Sequence, residues 1–436
     1  MDARNDALEI FAHALTASRV DDAMCDRIRF DGGVMEVDGH RYSLREYRRC
    51  VIVAIGKAAG TLSAAFLRLA GRDAERFEGV VVSPIDEEPR SRRLCYRRGG
   101  HPFPDTGSLA AAEEILETLT SLSTQDLVVF LVSGGGSALV ERYIEGETTL
   151  EAIVATHKAL VQCGAPIAAM NAVRKHLSAV KGGRLAAAAA PAKQLTIFVS
   201  DVPPDELDAL SSGPTVPDHS TIADVLRIVD QYKLLDRLPA EITAMLLSGR
   251  LPETPKPWEG IFALSQWYVL LDSTALEHAA QQKATSLGWN AMIDHTCDDW
   301  SAERAAEYLV GRVGQLQAER KPVCLVSAGE VTVEVPRESM GTGGRNQHFA
   351  LLASELIAGN SITVLSCGSD GIDGNSSAAG AIVDGRTLAR ASAAGFPVRR
   401  ALETFDSSTL LEKLGDTIKT GPTGNNLRDL RILLAH

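Results

Sequence analysis

Five glycine-rich segments each follow an apolar run, and the residue types inside them are those of phosphate chemistry. They are Ile55-Gly56-Lys57-Ala58-Ala59-Gly60, Ser133-Gly134-Gly135-Gly136-Ser137, Lys181-Gly182-Gly183-Arg184, Gly341-Thr342-Gly343-Gly344-Arg345-Asn346-Gln347 and Gly368-Ser369-Asp370-Gly371-Ile372-Asp373-Gly374. Glycine lets backbone N–H groups crowd around an anion, and a helix N-terminus behind such a loop adds partial positive charge. Phosphoryl transfer needs cations to neutralise charge and carboxylates to hold Mg²⁺. Lys57 supplies a compact ammonium where a helix would begin. Arg345, at another helix start, supplies a planar fork that can grip a carboxylate or phosphate. The loop holding Asp370 lacks the ligand spacing and final glutamate of an EF-hand, so magnesium bridging through phosphates suits it better.

Two further stretches add charge. Asn171 to Arg184 packs Arg174, Lys175, His176, Lys181 and Arg184 into eleven positions of an acidic chain. On a helix Arg174, Ser178 and Lys181 share a face, which predicts a local positive wall, although charge runs usually mark a solvated surface. Ser200-Asp201-Val202 ends an apolar run, the place where ligands collect in open α/β sheets. Asp201 there can hold Mg²⁺ or accept a hydroxyl proton; Asp205 and Asp218 read as helix caps. Several familiar patterns are missing. Val51 stands where a Walker loop needs its first glycine, and Leu139 where a nucleophile elbow needs its last. The dinucleotide pattern Gly-x-Gly-x-x-Gly occurs nowhere in the chain.

Alternating strands and helices must carry these loops. Apolar runs at residues 51–55, 80–83, 127–132, 195–199, 268–271, 323–327, 331–335 and 362–366 predict strands. Helical spacing covers 7–24, 62–69, 106–122, 149–163, 168–190, 274–287, 303–317 and 346–357. This order implies a parallel sheet with helices on both faces. Three prolines within 249–258 suggest a boundary, and 436 residues exceed one compact core. A net charge of −12 argues against nucleic-acid or membrane surfaces. Seven scattered cysteines without a Cys-x-x-Cys pair fit a reducing cytoplasm, and no apolar run reaches the ~18 residues of a membrane span. Cys367 reads as a small apolar strand-end residue.

Taken in order, the stretches GKAAG, SGGGSAL, NAVRKHLSAVKGGRLA, SDVPPDELDALSSGPTVPD, SAGEVTVEV, GTGGRNQHFALL, GSDGIDGNSSAAGAIVD and TGPTGNNLRDL resemble the glycerate 2-kinases whose C-terminal part is called the MOFRL domain. The resemblance implies two α/β domains with an active site in the cleft between them. They are a larger N-terminal Rossmann-like parallel-sheet domain over residues 1–250 and a smaller C-terminal MOFRL-type α/β domain over 251–436. It also implies ATP- and Mg²⁺-dependent phosphorylation of the 2-hydroxyl of D-glycerate, with Lys57, Asp201 and Arg345 in the catalytic positions. Asp201 and Asp370 are the expected metal contacts. The expected binding set is Ser133, Gly134, Gly135, Gly136, Ser137, Arg174, Lys175, His176, Lys181, Gly343, Gly344, Asn346 and Asp370. The expected partners are a small hydroxy acid and a second copy of the chain, with no nucleic acid and no membrane.

The chain departs from the family pattern at Pro203-Pro204-Asp205, at His348 where the family has an acid, and at Ser376-Ser377. It also lacks the family's asparagine–arginine pair near Leu271-Asp272-Ser273-Thr274. Two other readings stand beside the kinase: a hydroxypyruvate reductase-type oxidoreductase, and a non-catalytic binder of phosphorylated ligands.

Overall fold

Strand length and alternation separate two sheets within residues 23–270. The short strands β1 (Ile28–Asp31), β2 (Val34–Val37) and β3 (His40–Ser43) pair antiparallel and bury one face through Met35, Val37 and Tyr42. The uninterrupted apolar runs behave differently, because a strand covered by helices on both faces has no polar side. They form β4 (Arg49–Ile55), β5 (Phe77–Ser83), β7 (Asp126–Ser133) and β8 (Lys193–Val199), and the partly exposed strands β6 (Leu94–Arg98) and β9 (Ser265–Leu271) complete the order β6-β5-β4-β7-β8-β9. The pairings from β6 through β8 are parallel.

The chain steps outward from β4 to β6, then returns to lay β7 on the other side of β4. That reversal is a topological switch point, where connections leave in opposite directions and open a crevice beyond the strand ends. Val51, Val53 and Ile55 pack against Ala111, Ile115 and Leu119 of the helix Thr106–Thr120. Asp105 caps that helix: its Oδ1 accepts from Ser108 N at 2.9 Å, and Ser108 Oγ accepts from Asp105 N at 3.1 Å.

The second sheet runs β10 (Asn290–Ile293), β11 (Val323–Ala328), β15 (Asp429–Ala435), β12 (Ile362–Gly368), β13 (Gly380–Asp384), β14 (Thr417–Ile418), where the numbers follow chain order. Only β10–β11 is parallel among these pairings. Leu325, Val364 and Leu433 share a core with Leu309 and Phe349 of the helices Ala302–Glu319 and Arg345–Leu356. The computed structural model describes residues 2–144, 148–203, 206–336 and 339–436; Pro204 and Asp205 lie outside them.

The described residues group into two units, Ala23–Leu270 and Met1–Asp22 with Leu271–His436, whereas the sequence reading divided the chain at residue 250. The proline-rich stretch belongs to the first unit because its groups are bonded there. Thr254 Oγ1 donates to Asp218 Oδ2 at 2.8 Å, and Pro255 O accepts from Asp218 N at 3.0 Å. The opening helix, expected over 7–24, is two helices, Ala3–Ala17 and Val20–Arg27. Trp289 Nε1 donates to Asp6 Oδ2 at 2.9 Å within the second unit. The expected strand at 331–335 is absent: Thr332 makes one bridge to Ser301, and Val335 is 55% exposed. All seven cysteines are free, and burial pushes the Cys367 thiol well above its ordinary range. No helix among the described residues is long and apolar enough to cross a membrane.

Candidate active site

At the switch point, β4 and β7 end side by side, with Ile55 in register with Val132. Their loops are tied together: Lys57 N donates to Gly134 O at 2.9 Å and Ala58 N donates to Ser133 Oγ at 3.0 Å. Ser211 Oγ fastens the glycine loop from the other side, donating to Ser133 O at 2.7 Å and accepting from Gly136 N at 2.9 Å. Glycine is required at two places. A Cβ on Gly134 would overlap the Asp201 carboxylate, so Asp201 lies directly on this backbone. Gly135 has φ +86°, and a Cβ there would stand 3.0 Å from Lys57 Cγ and 3.4 Å from the His101 ring.

Lys57, His101 and Asp201 therefore surround the triple glycine. Lys57 is exposed and makes no ion pair among the described residues. Partial burial and the neighbouring Lys57 ammonium lower the His101 pKa, which keeps its ring neutral near pH 7. Gly60, in the first turn of the helix Ala59–Ala70, lets the Glu87 carboxylate pack against its backbone, since a Cβ there would overlap it.

A second polar cluster lies alongside. The Ser137 and Ser212 hydroxyls are 2.5 Å apart, Ser212 Oγ donates to Asn171 Oδ1 at 3.3 Å, and Arg174 Nη1 donates to the same oxygen at 3.4 Å. Ser211 and Ser212 have φ +50° and +59°, a left-handed conformation costly for serine and characteristic of functional loops. Arg174 is mostly buried, its Nε has no partner, and burial lowers its pKa. Among the described residues no carboxylate pairs with it, so a bound anion would supply the missing countercharge.

The expected positive wall is otherwise corrected. Lys175 is buried and paired with Asp208 at 2.7 Å and Asp218 at 3.1 Å. His176 is buried between Ala172 O at 2.9 Å and Glu253 Oε2 at 3.2 Å. Lys181 pairs with buried Glu141, which also accepts from Ser178 Oγ at 2.6 Å and contacts His157 Nε2 at 3.1 Å. The cause is geometric: the helix Ile167–Leu177 ends before Ser178, so Lys181 leaves its period and turns inward. Of this run, Arg174 and Arg184 make no ion pair among the described residues, and Arg184 Nη2 is engaged by Pro252 O at 3.1 Å and Glu253 O at 3.3 Å.

Arg345, Asn346, Gly343, Gly344 and Asp370 lie in the other unit. Both edges of the Arg345 guanidinium are occupied, with Nε 2.6 Å from Asp429 Oδ2 and Nη1 2.7 Å from Glu330 Oε2. Neither acid was singled out in the sequence. A substrate carboxylate could reach this fork only by displacing one of them. Asn346 is buried and its side chain is used internally, bonding Asp373 and accepting from Ser366 Oγ at 2.7 Å. Asp373, also overlooked, caps the helix by accepting from Asn346 N at 3.0 Å and Gln347 N at 2.9 Å. Of the altered loop positions, Ser376 accepts from Gln347 Nε2 at 2.7 Å. Asp370 is half-buried and accepts from Ile372 N at 3.0 Å.

No group of three or more metal-ligating side chains occurs among the described residues. A single carboxylate next to a phosphate cradle fits Mg²⁺, which keeps most of its water and takes its other ligands from phosphates. Asp201 offers that carboxylate.

Comparison with known proteins decides the family. The profile of a domain of unknown function, DUF4147, matches residues 6–247, and that of the MOFRL family matches 323–429. A D-glycerate 2-kinase from Thermotoga maritima is 36% identical over 391 residues, covering 88% of this chain and 90% of the relative. The chain belongs to the MOFRL-containing glycerate 2-kinase family. A solved glycerate kinase structure from Thermotoga maritima matches with a TM-score of 0.84 at 33% identity, covering 100% of this chain and 99% of its own. This glycerate 2-kinase family also contains differently named proteins. An Agrobacterium vitis relative, 38% identical over 391 residues and covering 88% of this chain and 87% of its own length, carries the provisional name hydroxypyruvate reductase.

Proposed function

We propose that the chain transfers the γ-phosphoryl group of ATP, with Mg²⁺, to the 2-hydroxyl of D-glycerate, giving 2-phosphoglycerate. The observation that carries this reading is Lys57 at the switch point, without an ion pair among the described residues and held against the triple-glycine loop, on whose backbone Asp201 lies. Kinase names among close relatives support it. Phosphoryl transfer asks the protein mainly for positioning and charge neutralisation. Lys57 would neutralise the transferring phosphoryl group. Asp201 would hold the magnesium ion, which when bound screens the phosphate charges. Arg174, Ser137 and Ser212 would take the carboxylate of the acid, because they offer a cation without a countercharge and two hydroxyls. Arg345 would hold the strand-end acids Glu330 and Asp429 in place.

The reductase reading is disfavoured because the dinucleotide pattern Gly-x-Gly-x-x-Gly follows no strand of the chain. The test is ADP release by the full chain, which should require D-glycerate and stop with EDTA. NADH oxidation with hydroxypyruvate and no ADP release would reverse the assignment.

A further inference from the structure

The first unit holds a second concave site, of about 650 Å³, a volume within the range of small-molecule pockets. Its position follows from the sheet. β4, β5 and β6 are parallel, so all three begin at one edge and end at the other. Lys57 follows the end of β4, whereas Glu75 and Arg93 stand just before the starts of β5 and β6. The pocket therefore lies at the opposite edge of the sheet from the glycine cradle and shares no residue with it.

Its charge is the reverse of the chain's. Arg68, Arg90, Arg92 and Arg93 line it against one carboxylate, Glu75, while the whole sequence has 56 acids to 44 bases. Arg93 is held by Glu78, with Nη2 2.9 Å from Oε2. Arg90 and Arg92 make no ion pair among the described residues. The turn that carries them is nonetheless tied down, unlike a freely solvated charge run. Arg90 N donates to Tyr96 Oη at 3.0 Å, Arg93 N donates to Ser91 Oγ at 3.1 Å, and Arg93 O accepts from Gly79 N at 3.2 Å. The rest of the lining includes Leu67 of the helix Ala59–Ala70 and Ala74 of the 3₁₀ turn Gly71–Arg76. Arg76 fastens that turn by donating from Nη2 to Leu44 O at 2.6 Å.

A guanidinium stays charged and donates in pairs to the oxygens of a phosphate or carboxylate. Two of them, one residue apart and without a countercharge from the chain, leave the pocket electrostatically incomplete. A ligand with two anionic groups can meet both, and Leu67 and Ala74 accept the atoms that join those groups. A long polyanion is a poor match, because Asp86 and Glu88 are exposed just before the arginines and the chain as a whole is acidic.

We propose that this pocket is a second anion site, taking a small anion with two or more phosphate or carboxylate groups on Arg90 and Arg92. It stands apart from the reading of Lys57 and from D-glycerate. The full chain carrying Lys57→Ala, which weakens the cradle, is titrated by calorimetry without Mg²⁺, once with pyrophosphate and once with citrate. At least one probe should bind, and the tighter of the two identifies phosphate or carboxylate as the preferred group. Adding Arg90→Ala and Arg92→Ala should weaken that binding roughly tenfold or more at an unchanged Tm. Glu75→Gln removes the pocket's one carboxylate and should tighten it by about twofold or more at low salt, an effect that misfolding cannot imitate. Absence of binding by both probes, or equal affinity with and without the two arginines, would overturn the site. An unchanged affinity in Glu75→Gln would overturn it too, and decides the matter should the arginine variant fail to fold.

Discussion

Lys57 and Arg345 are both cations in glycine-rich loops, yet their surroundings assign them different work. Lys57 makes no ion pair among the described residues and lies over a glycine backbone, so its charge is free to meet a phosphate. Lys57→Ala should lower kcat by about 10²–10³-fold with an unchanged Tm, as loss of one preorganised electrostatic group does. Turnover within threefold of wild type would remove it from the chemistry. Arg345 spends both edges on Asp429 and Glu330, and lysine cannot reproduce two forks. Arg345→Lys should therefore lower Tm while leaving KM for D-glycerate within twofold. A tenfold rise in KM at constant Tm would return Arg345 to substrate binding. Gly134→Ala probes the same region from the backbone: the added methyl must displace the Asp201 carboxylate, and kcat should fall at least tenfold. Wild-type turnover in that variant would show that Asp201 need not sit there.

At the scale of elements, the switch point depends on β4 and β7 ending together, and Asp126 anchors the start of β7. Burial alone would raise its pKa. Hydrogen bonds from Ser123 and bonds at 3.1 and 2.7 Å from Arg48 outweigh that and hold it at about 2. A carboxyl with a depressed folded pKa contributes stability that is complete above its unfolded value of about 3.9 and is lost as pH falls through the folded one. Asp126→Asn should thus be less stable at neutral pH and lose less further stability between about pH 4 and 2. Parallel acid-unfolding curves for variant and wild type would contradict this. The sequence made this architecture readable where patterns were strong: unbroken apolar runs gave β4 and β7, and helical spacing gave the helix Thr106–Thr120. Side-chain direction was harder to read. Lys175, His176 and Lys181 looked like a solvated or ligand-facing run, but their partners Asp208, Asp218, Glu253 and Glu141 are distant in sequence. The alternation at 331–335 has the period of a strand, yet its apolar side lines a cleft. His101 was hidden in a rigid loop, and only the fold brings it over Gly135.

For the whole molecule, each unit carries half of the recognised motifs. The first holds a cation without an ion pair among the described residues, a glycine cradle and a carboxylate; the second holds paired charges at a cleft lined by both apolar and polar side chains. An acidic chain of net charge −12 with such a local cation suits a small anionic substrate rather than a polyanion. The central claim is the transfer itself. Purified full-length protein would be incubated with ATP, Mg²⁺ and D-glycerate and followed by ³¹P NMR. The account predicts a 2-phosphoglycerate resonance that grows with ADP and disappears with EDTA. A 3-phosphoglycerate resonance, or no phosphorylated acid from active, folded protein, would contradict it.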